Sequence, residues 1–410
     1  MLLSNRNQVE KLNQWIEVKL TKLLPRLMKK HNLDMWIVTT EEYNEDPVFP
    51  FLVPQPFLRG DLGCIFPPSC PISILVFALE NDSLKKYCIS PLGYTGYQQI
   101  FNGTNKVWND VATLIKKHEP KQVALNISAD MNHGNGLSYS HYCHLIKDND
   151  QLKGKITSSD KLVAAYLSTR LSEEIDHYKQ VCELAQSVIE DSLKEIKVNE
   201  TTAQDLSWNV REKFEQMNLR SWFHPAVMVQ RKGTKRVSID APLKYGDLVH
   251  LDAGVQYMGL CTDHQRLSYI GGVKDPAFLE LTDKMEKTTQ LQDIVIEQIE
   301  SEKTGNEILQ KAKRQAELLK IDTRIYCHPI GGHGHGAGPL IGTWNQQEYT
   351  DKGKYEIAEN SCMALELATV QQLKAWDGKI VAIPLEENIF INKTEVIIMG
   401  KRQTELLIVE

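Results

Sequence analysis

The sequence has no apolar run approaching the roughly 20 residues that a membrane-spanning helix needs, so no helical span is expected. It has no CxxC pair. Its eight cysteines, Cys64, Cys70, Cys88, Cys143, Cys182, Cys261, Cys327 and Cys362, are scattered along 410 residues rather than spaced densely enough to staple a small secreted domain. They are expected to be reduced thiols. A large charge excess is missing too. The net charge is −6 with both signs interspersed, which gives no broad field to draw nucleic acid or anionic lipid, and neither partner is expected. No repeat or low-complexity tract interrupts the chain. The opening stretch MLLSNRNQVEKLNQWIEVKLTKLLPRLMKK contains no uninterrupted apolar core and no small-residue cleavage site. It does not read as a signal peptide, and a cytoplasmic location is expected.

What is present is an ordinary globular composition over a length that exceeds what one hydrophobic core usually organises, so two domains are expected. Leu12, Trp15, Ile16, Leu20, Leu23, Leu24 and Leu27 fall at helical spacing, and DMWIVTT (Asp34–Thr40) then reads as a buried strand. Further strand-like runs, SILVFAL and QVALNIS, alternate with the helical VWNDVATLIKKH, which predicts a mixed α/β domain over residues 1–165. A long helix beginning near Leu171, with Ile175, Tyr178, Cys182, Ala185, Val188, Ile189 and Leu193 on one face, opens a second domain over residues 166–410. Another helix starts at NETTAQD, where Thr201 or Thr202 can cap it and Asp205 suits the dipole. Beyond that point the composition is strand-rich.

In LVHLDAGVQYMGLCTDHQRLSYI two strand-like arms flank a short turn. A two-residue turn at Tyr257–Met258 would set Asp252 opposite Asp263; moving it by one residue changes the register and leaves both on one face. Opposed carboxylates repel unless something positive lies between them. A turn cap or a lysine partner would relieve them, and so would a bound cation. Glu366 in MALELAT and Glu386 in IPLEENIF interrupt runs that otherwise read as buried strands, where a carboxylate is costly unless paired, hydrogen-bonded or bound to metal. The stretch HPIGGHGHGAG (His328–Gly338) adds three histidines among five glycines. Glycines let backbone and substrate come close, and imidazole combined with carboxylates suits a transition-metal hydrolytic centre. The same loop also suits a glycine-rich turn with solvated histidines. In chain order the ligand candidates are Asp252, Asp263, His335, Glu366 and Glu386.

That order, with Asp263 eleven residues after the Asp252 of GDLVHLDAG, resembles the paired-aspartate hairpin of the pita-bread metallopeptidases, the family of methionine aminopeptidase, aminopeptidase P and prolidase. GHGAG resembles the family's GHGxG loop, with His335 as the metal histidine. ALELAT and LEENIFI are similar to its last two ligand segments, and EENIFI against the family's EDTVLV selects Glu386 over Glu387. STRLSEEIDHYKQVCELA and HNLDMWIVTTEEYN resemble the aminopeptidase P and prolidase branch, so the likeness covers most of the chain.

The resemblance implies an α+β protein, with a C-terminal pita-bread catalytic domain and a smaller N-terminal mixed α/β creatinase-like domain. It implies two divalent metal ions, manganese first, with cobalt, zinc or iron also accepted. Asp252 would bind one ion, Asp263 and Glu386 would bridge, and His335 with Glu366 would complete the other; Glu366 would also be the acid/base. The implied activity is release of the N-terminal residue from peptides with proline second. An Xaa-Pro dipeptidase and a non-catalytic peptide- or protein-binding protein are the alternatives. Short proline-containing peptides as partners and a homodimer follow from the same likeness. The chain departs from the branch at Gly331, Gly342 and Lys235, where further histidines are usual, and at Pro384, where an arginine is usual; the last departure weighs against the dipeptidase. His328 and His333 are the candidates to take over the catalytic histidine role, with His224 and His264 behind them. His250 reads as support or packing, and Trp222, Phe223 and Trp344 are candidate pocket aromatics.

Overall fold

The computed structural model describes residues 2–54, 69, 71–81, 83–147 and 149–410; Cys64 and Cys70 lie outside them. The chain divides into two compact units, Met1–Leu167 and Ser168–Glu410. None of the six described cysteines is in a disulfide. Among the described residues no helix is long and apolar enough to cross a membrane.

In the first unit, helix α1 (Asn5–Val18) is capped by Ser4, whose side chain accepts from the Asn7 amide, and it buries Leu12, Trp15 and Ile16. Pro25 sits in the first turn of α2 (Leu24–Lys30). Proline lacks an N–H and its ring crowds the carbonyl four residues back, and the helix widens into a π turn over Lys19–Leu23 just before it. The strand expected at Asp34–Thr40 is β1 (Met35–Glu41). It joins β2 (Ile72–Glu80), β3 (Ser83–Ile89), β4 (Gln98–Gln99), β5 (Val123–Leu125) and β6 (Ile156–Ser158) in a mixed sheet of order β4-β3-β2-β1-β5-β6. Met35, Ile37, Ile74 and Val76 pack on Val111, Leu114 and Ile115 of α3 (Val107–His118).

The second unit opens with α4 (Ser172–Lys194), which buries Tyr178, Cys182, Ala185, Val188, Ile189 and Leu193. Thr202 caps α5 (Ala203–Gln216) in a reciprocal box with Asp205. The main sheet has eight strands. Six run in the order β10-β11-β12-β9-β8-β7, where β7 is Ala226–Gln230, β8 Leu248–Ala253, β9 His264–Ile270, β10 Thr323–Pro329, β11 Ser361–Leu373 and β12 Lys379–Ile391. These six pair antiparallel throughout. Ile325, Cys327, Leu365, Leu367 and Ile389 pack against Leu291 and Val295 of α6 (Pro276–Gln298) and Leu309 and Ala312 of α7 (Gly305–Leu318). Side chains alternate along a strand, so Tyr326, His328, Glu366 and Glu386 turn to the face away from these helices.

The β8–β9 connection is a tight hairpin. Tyr257 pairs with Leu260, leaving a two-residue turn at Met258–Gly259 with both φ angles positive, 51° and 68°. That is the backbone a twist-matched hairpin turn requires. The turn lies one residue beyond Tyr257–Met258, so Asp252 pairs with Gln265 and not with Asp263; both aspartates stay on one face.

On the face turned from those carboxylates, Arg266 is fully buried. It donates to Glu387 Oε1 at 3.0 Å and to the Lys401 carbonyl at 2.7 Å. Glu387 also accepts from the Gln403 amide and the Gln186 side chain. Removing one partner of such a pair strands the other charge. Arg266→Met is therefore expected to destabilise the second unit by about 3–5 kcal/mol, read as a lowered midpoint of urea unfolding; an unchanged midpoint would mean that the network relaxes around the loss.

Candidate metal centre

The register of the main sheet places Tyr326, Glu366, Glu386, Gln265, Asp252 and Ala226 side by side in a single row across six strands. Glu366 and Glu386 are direct cross-strand partners, an arrangement of like charges that destabilises a sheet by itself. Asp263 enters the same face two residues before Gln265. It lies outside the strand ladder and is fixed by Asn388, whose amide Oδ1 accepts from the Asp263 N–H at 3.0 Å and whose Nδ2 donates to the Asp263 carbonyl at 2.9 Å.

The histidines come from β10 and the loop that follows it. His328 lies in the strand opposite Ala364, two residue pairs along from the carboxylate row and on the same face, with its side chain buried. Its Nδ1–H donates to the Pro329 carbonyl at 3.1 Å, and its Nε2 stands 3.6 Å from Asp263 Oδ2 and 3.7 Å from Glu386 Oε1. The loop folds back through a bond from the Gly336 amide to the Pro329 carbonyl. Trp222 holds it from the side: its indole donates to the Thr262 carbonyl at 2.8 Å, and its ring centre lies 5.4 Å from that of His335. A Cβ at Gly334 would fall 2.3 Å from the Trp222 ring, so this position of the histidine loop has to be glycine.

Three overlapping groups result, each with one donor atom per residue and all atoms within 4.8 Å: Asp263, His328 and His335; His328, Glu366 and Glu386; and Asp252, Asp263 and Glu386. The five ligand candidates are thus brought together, with His328 among them. His333 belongs to none of the groups. Four buried donor atoms, Asp252 Oδ1, Asp263 Oδ1, Glu386 Oε1 and His328 Nε2, have no hydrogen-bond partner, although buried polar atoms are otherwise almost always satisfied. Four carboxylates and two imidazoles gathered at one point, three of those carboxylates and one imidazole each with an unpartnered buried atom, are a donor set that fits divalent transition-metal ions.

The other histidine candidates lie elsewhere. His264 is on the opposite face, buried beside Gln186 and Glu387, because it alternates with Asp263 and Gln265. His224 is exposed and its ring meets Trp208. Lys235 is exposed. Gly342 has φ +71°, and a Cβ there would fall 2.3 Å from the Ile325 carbonyl oxygen, so no histidine fits at that position. A Cβ at Gly331 would instead meet the Arg170 guanidinium at 3.1 Å. Pro384 pairs with Ala368, an apolar step beside the carboxylate row. Phe223 stacks edge-on against Trp222 at 4.4 Å, while Trp344 is 69% exposed.

Gln265, like Asn388, is a functional residue that the sequence does not single out. Between Glu386 and Asp252 it supplies a neutral donor, its Nε2 bonding Glu366 Oε1 at 3.1 Å. His250 orients it by donating from Nε2 to Gln265 Oε1 at 2.8 Å. Burial pushes the His250 pKa down to about 4, so His250 is neutral near pH 7. The signal was available: the alternation that unites Asp252 and Asp263 puts position 265 on their face.

Burial, and then the neighbouring carboxylates, raise Asp252 and Glu386 well above the usual carboxylate range; burial carries Glu366 up to about 7. In the metal-free fold these groups keep protons that the unfolded chain has already lost. Raising the pH strips them from the native state only, so stability falls as pH rises. His328 acts in the same sense: burial lowers its pKa, but Asp263, Glu366 and the Pro329 carbonyl together raise it more. His250 and His264, both depressed chiefly by burial, act oppositely as the unfolded chain takes up protons below about pH 6.5. Between pH 6.5 and 8 the carboxylates set the sign. The unfolding free energy of metal-stripped protein should therefore fall across this window by about 1.4 kcal/mol per pH unit for each proton released, read as a declining melting temperature, and added Mn2+ or Co2+ should remove the decline. A flat profile in the stripped protein would sink the crowded-carboxylate account.

A sequence profile of metallopeptidase family M24 matches residues 176–393, more than half of the chain. Curated proteins give no significant match by sequence. Solved structures with a similar fold include an X-Pro aminopeptidase from Thermotoga maritima MSB8, at 15% identity and TM-score 0.64 over 94% of this chain and 100% of that one. An Xaa-Pro dipeptidase from Bacillus anthracis is similar at 16% identity and TM-score 0.63, over 97% and 100% of the two chains. The prolidase from Pyrococcus horikoshii OT3 follows at 15% identity and TM-score 0.61, over 98% and 100%. With the profile spanning the row of carboxylates and the histidine loop, and the two-unit fold shared with these structures, this chain belongs to metallopeptidase family M24, hydrolases of the pita-bread fold.

Proposed function

We propose that the protein is a dinuclear-metal aminopeptidase that releases the N-terminal residue from short peptides with proline at the second position. The observation that carries this reading is the gathering of Asp252, Asp263, His335, Glu366 and Glu386 on one face of the main sheet, with buried donor atoms left without hydrogen-bond partners. These five residues would hold two divalent ions, manganese being the first to test. Bound there, the ions supply a Lewis acid for the scissile carbonyl and make water acidic enough to react near neutral pH.

The remaining chemistry belongs to the chain itself. Glu366 is the acid/base: its carboxyl, on the face that gathers the ligands, can take a proton from the attacking water and pass it to the leaving nitrogen. Gln265 donates to Oε1 of that carboxyl and so fixes its orientation in the row. Trp222 and Phe223 form an apolar wall beside His335 that keeps water from the peptide. His333, on the loop next to His335, is the candidate for a further proton-moving group. A homodimer goes with this reading, carried by the family resemblance alone, and a cytoplasmic location, carried by the scattered cysteines without a CxxC pair.

A second reading, Xaa-Pro dipeptidase, is favoured by one observation. Arg324 is exposed and shares the face of Tyr326 and His328 on β10, in register with Ala368 and so with Pro384. An arginine there is placed to meet a substrate carboxylate, which only the dipeptidase must bind. Metal-stripped protein is expected to be inert, and Mn2+ or Co2+ to restore release of the first residue from an Xaa-Pro-Yaa tripeptide. Cleavage confined to Xaa-Pro dipeptides, and lost in Arg324→Gln, would move the assignment to the second reading. Asp263→Asn should lose tight binding of the ion pair and turnover together while the circular dichroism spectrum stays native; unchanged metal content and rate would overturn both readings.

A further inference from the structure

We infer that His328 is itself a metal ligand, so that the centre binds its ions with two imidazoles, one from β10 and one from the glycine loop. This rests on the metal-centre reading above and adds a donor to it. His328 lies seven residues before His335 and in a different element. Its ring nonetheless meets that of His335 with centroids 4.7 Å apart and planes at 87°.

The hydrogen bonding fixes what Nε2 can do. The partner of Nδ1 is the Pro329 carbonyl, an acceptor only, so Nδ1 carries the hydrogen. In the neutral ring Nε2 then presents a lone pair. That lone pair has no hydrogen-bond partner and faces Asp263 Oδ2 at 3.6 Å and Glu386 Oε1 at 3.7 Å. A lone pair aimed at two carboxylates is repulsive unless a cation is shared. A shared proton would draw nitrogen and oxygen to about 2.7–2.9 Å, well inside the observed distances. Two donors each about 2.1 Å from a common ion stand roughly 3.4–3.7 Å apart at tetrahedral to trigonal angles, which is the spacing seen. An imidazole that gives its other N–H to a backbone carbonyl is also the usual setting of a metal-bound histidine.

A second imidazole changes the selectivity of the site. Nitrogen donors raise affinity for zinc, cobalt and iron relative to manganese, so the carboxylate-rich set alone would understate the preference for those ions.

The test uses the full-length protein, stripped of metal and loaded with Co2+. Proton NMR should show strongly shifted, solvent-exchangeable imidazole N–H signals, with the buried Nδ1–H of His328 among them. In His328→Gln one such signal should vanish, and Co2+ affinity should fall about tenfold or more. Unchanged signals and affinity in a folded variant would overturn the inference. Should that variant fail to fold, cobalt X-ray absorption on the unmodified protein decides: two imidazoles per loaded chain support the inference, and one overturns it. Protein that binds no Co2+ at all would instead remove the metallopeptidase reading itself, and this inference with it.

Discussion

Carboxylates that share a buried face repel one another, and the second unit is organised around that repulsion. Glu366 and Glu386 are direct cross-strand partners, and Asp252 stands on the same row with only Gln265 between it and Glu386. No strand would choose this pattern for its own stability. Each acid is held in place by the ladder on both sides and by an apolar face packed against two helices, so the charges cannot turn away to water. The sheet supplies the rigidity and the face supplies the conflict that a cation resolves.

The surroundings of the row follow from the same constraint. Asp263 cannot be fixed by the ladder, because it precedes β9, so Asn388 grips its backbone from β12. Gln265 fills what would be one more crowded position with an amide, and His250 keeps that amide turned toward Glu366. Behind the row, Arg266 and Glu387 cancel each other in an enclosed network. The two faces of the same strands therefore treat charge in opposite ways: one neutralises it internally, and the other leaves donor atoms without partners.

Much of this was legible in the sequence, for identifiable reasons. Period-two alternation put Asp252 and Asp263 on one face whichever two residues formed the turn. Acidic residues inside apolar runs marked Glu366 and Glu386, since burial makes such positions conspicuous. The register was not legible, because Tyr257–Met258 and Met258–Gly259 both read as turns and only the positive φ of Met258 distinguishes them. Gln265 and Asn388 escaped notice because a neutral amide in a strand looks like a solvent-facing residue until its neighbours are known. His264 is a candidate substitute for the missing histidines by residue type, yet its place beside Asp263 in the chain commits it to the other face. Arg324 was overlooked because its relation to Pro384 passes through two strand pairings, and pairing is a long-range fact.

The three donor groups overlap, with Asp263 and Glu386 each belonging to two of them. Filled as proposed, the centre cannot take up its ions as independent events. Four carboxylates are only half neutralised by one divalent cation, so the second ion approaches a cluster still in negative excess, while two of its donors are already engaged. The balance of those effects is a single coupling free energy, felt equally by whichever ion enters first. Metal occupancy is then a linked property of the pair, and a titration of this protein reads the cooperativity of the cluster before it reads the affinity of either position.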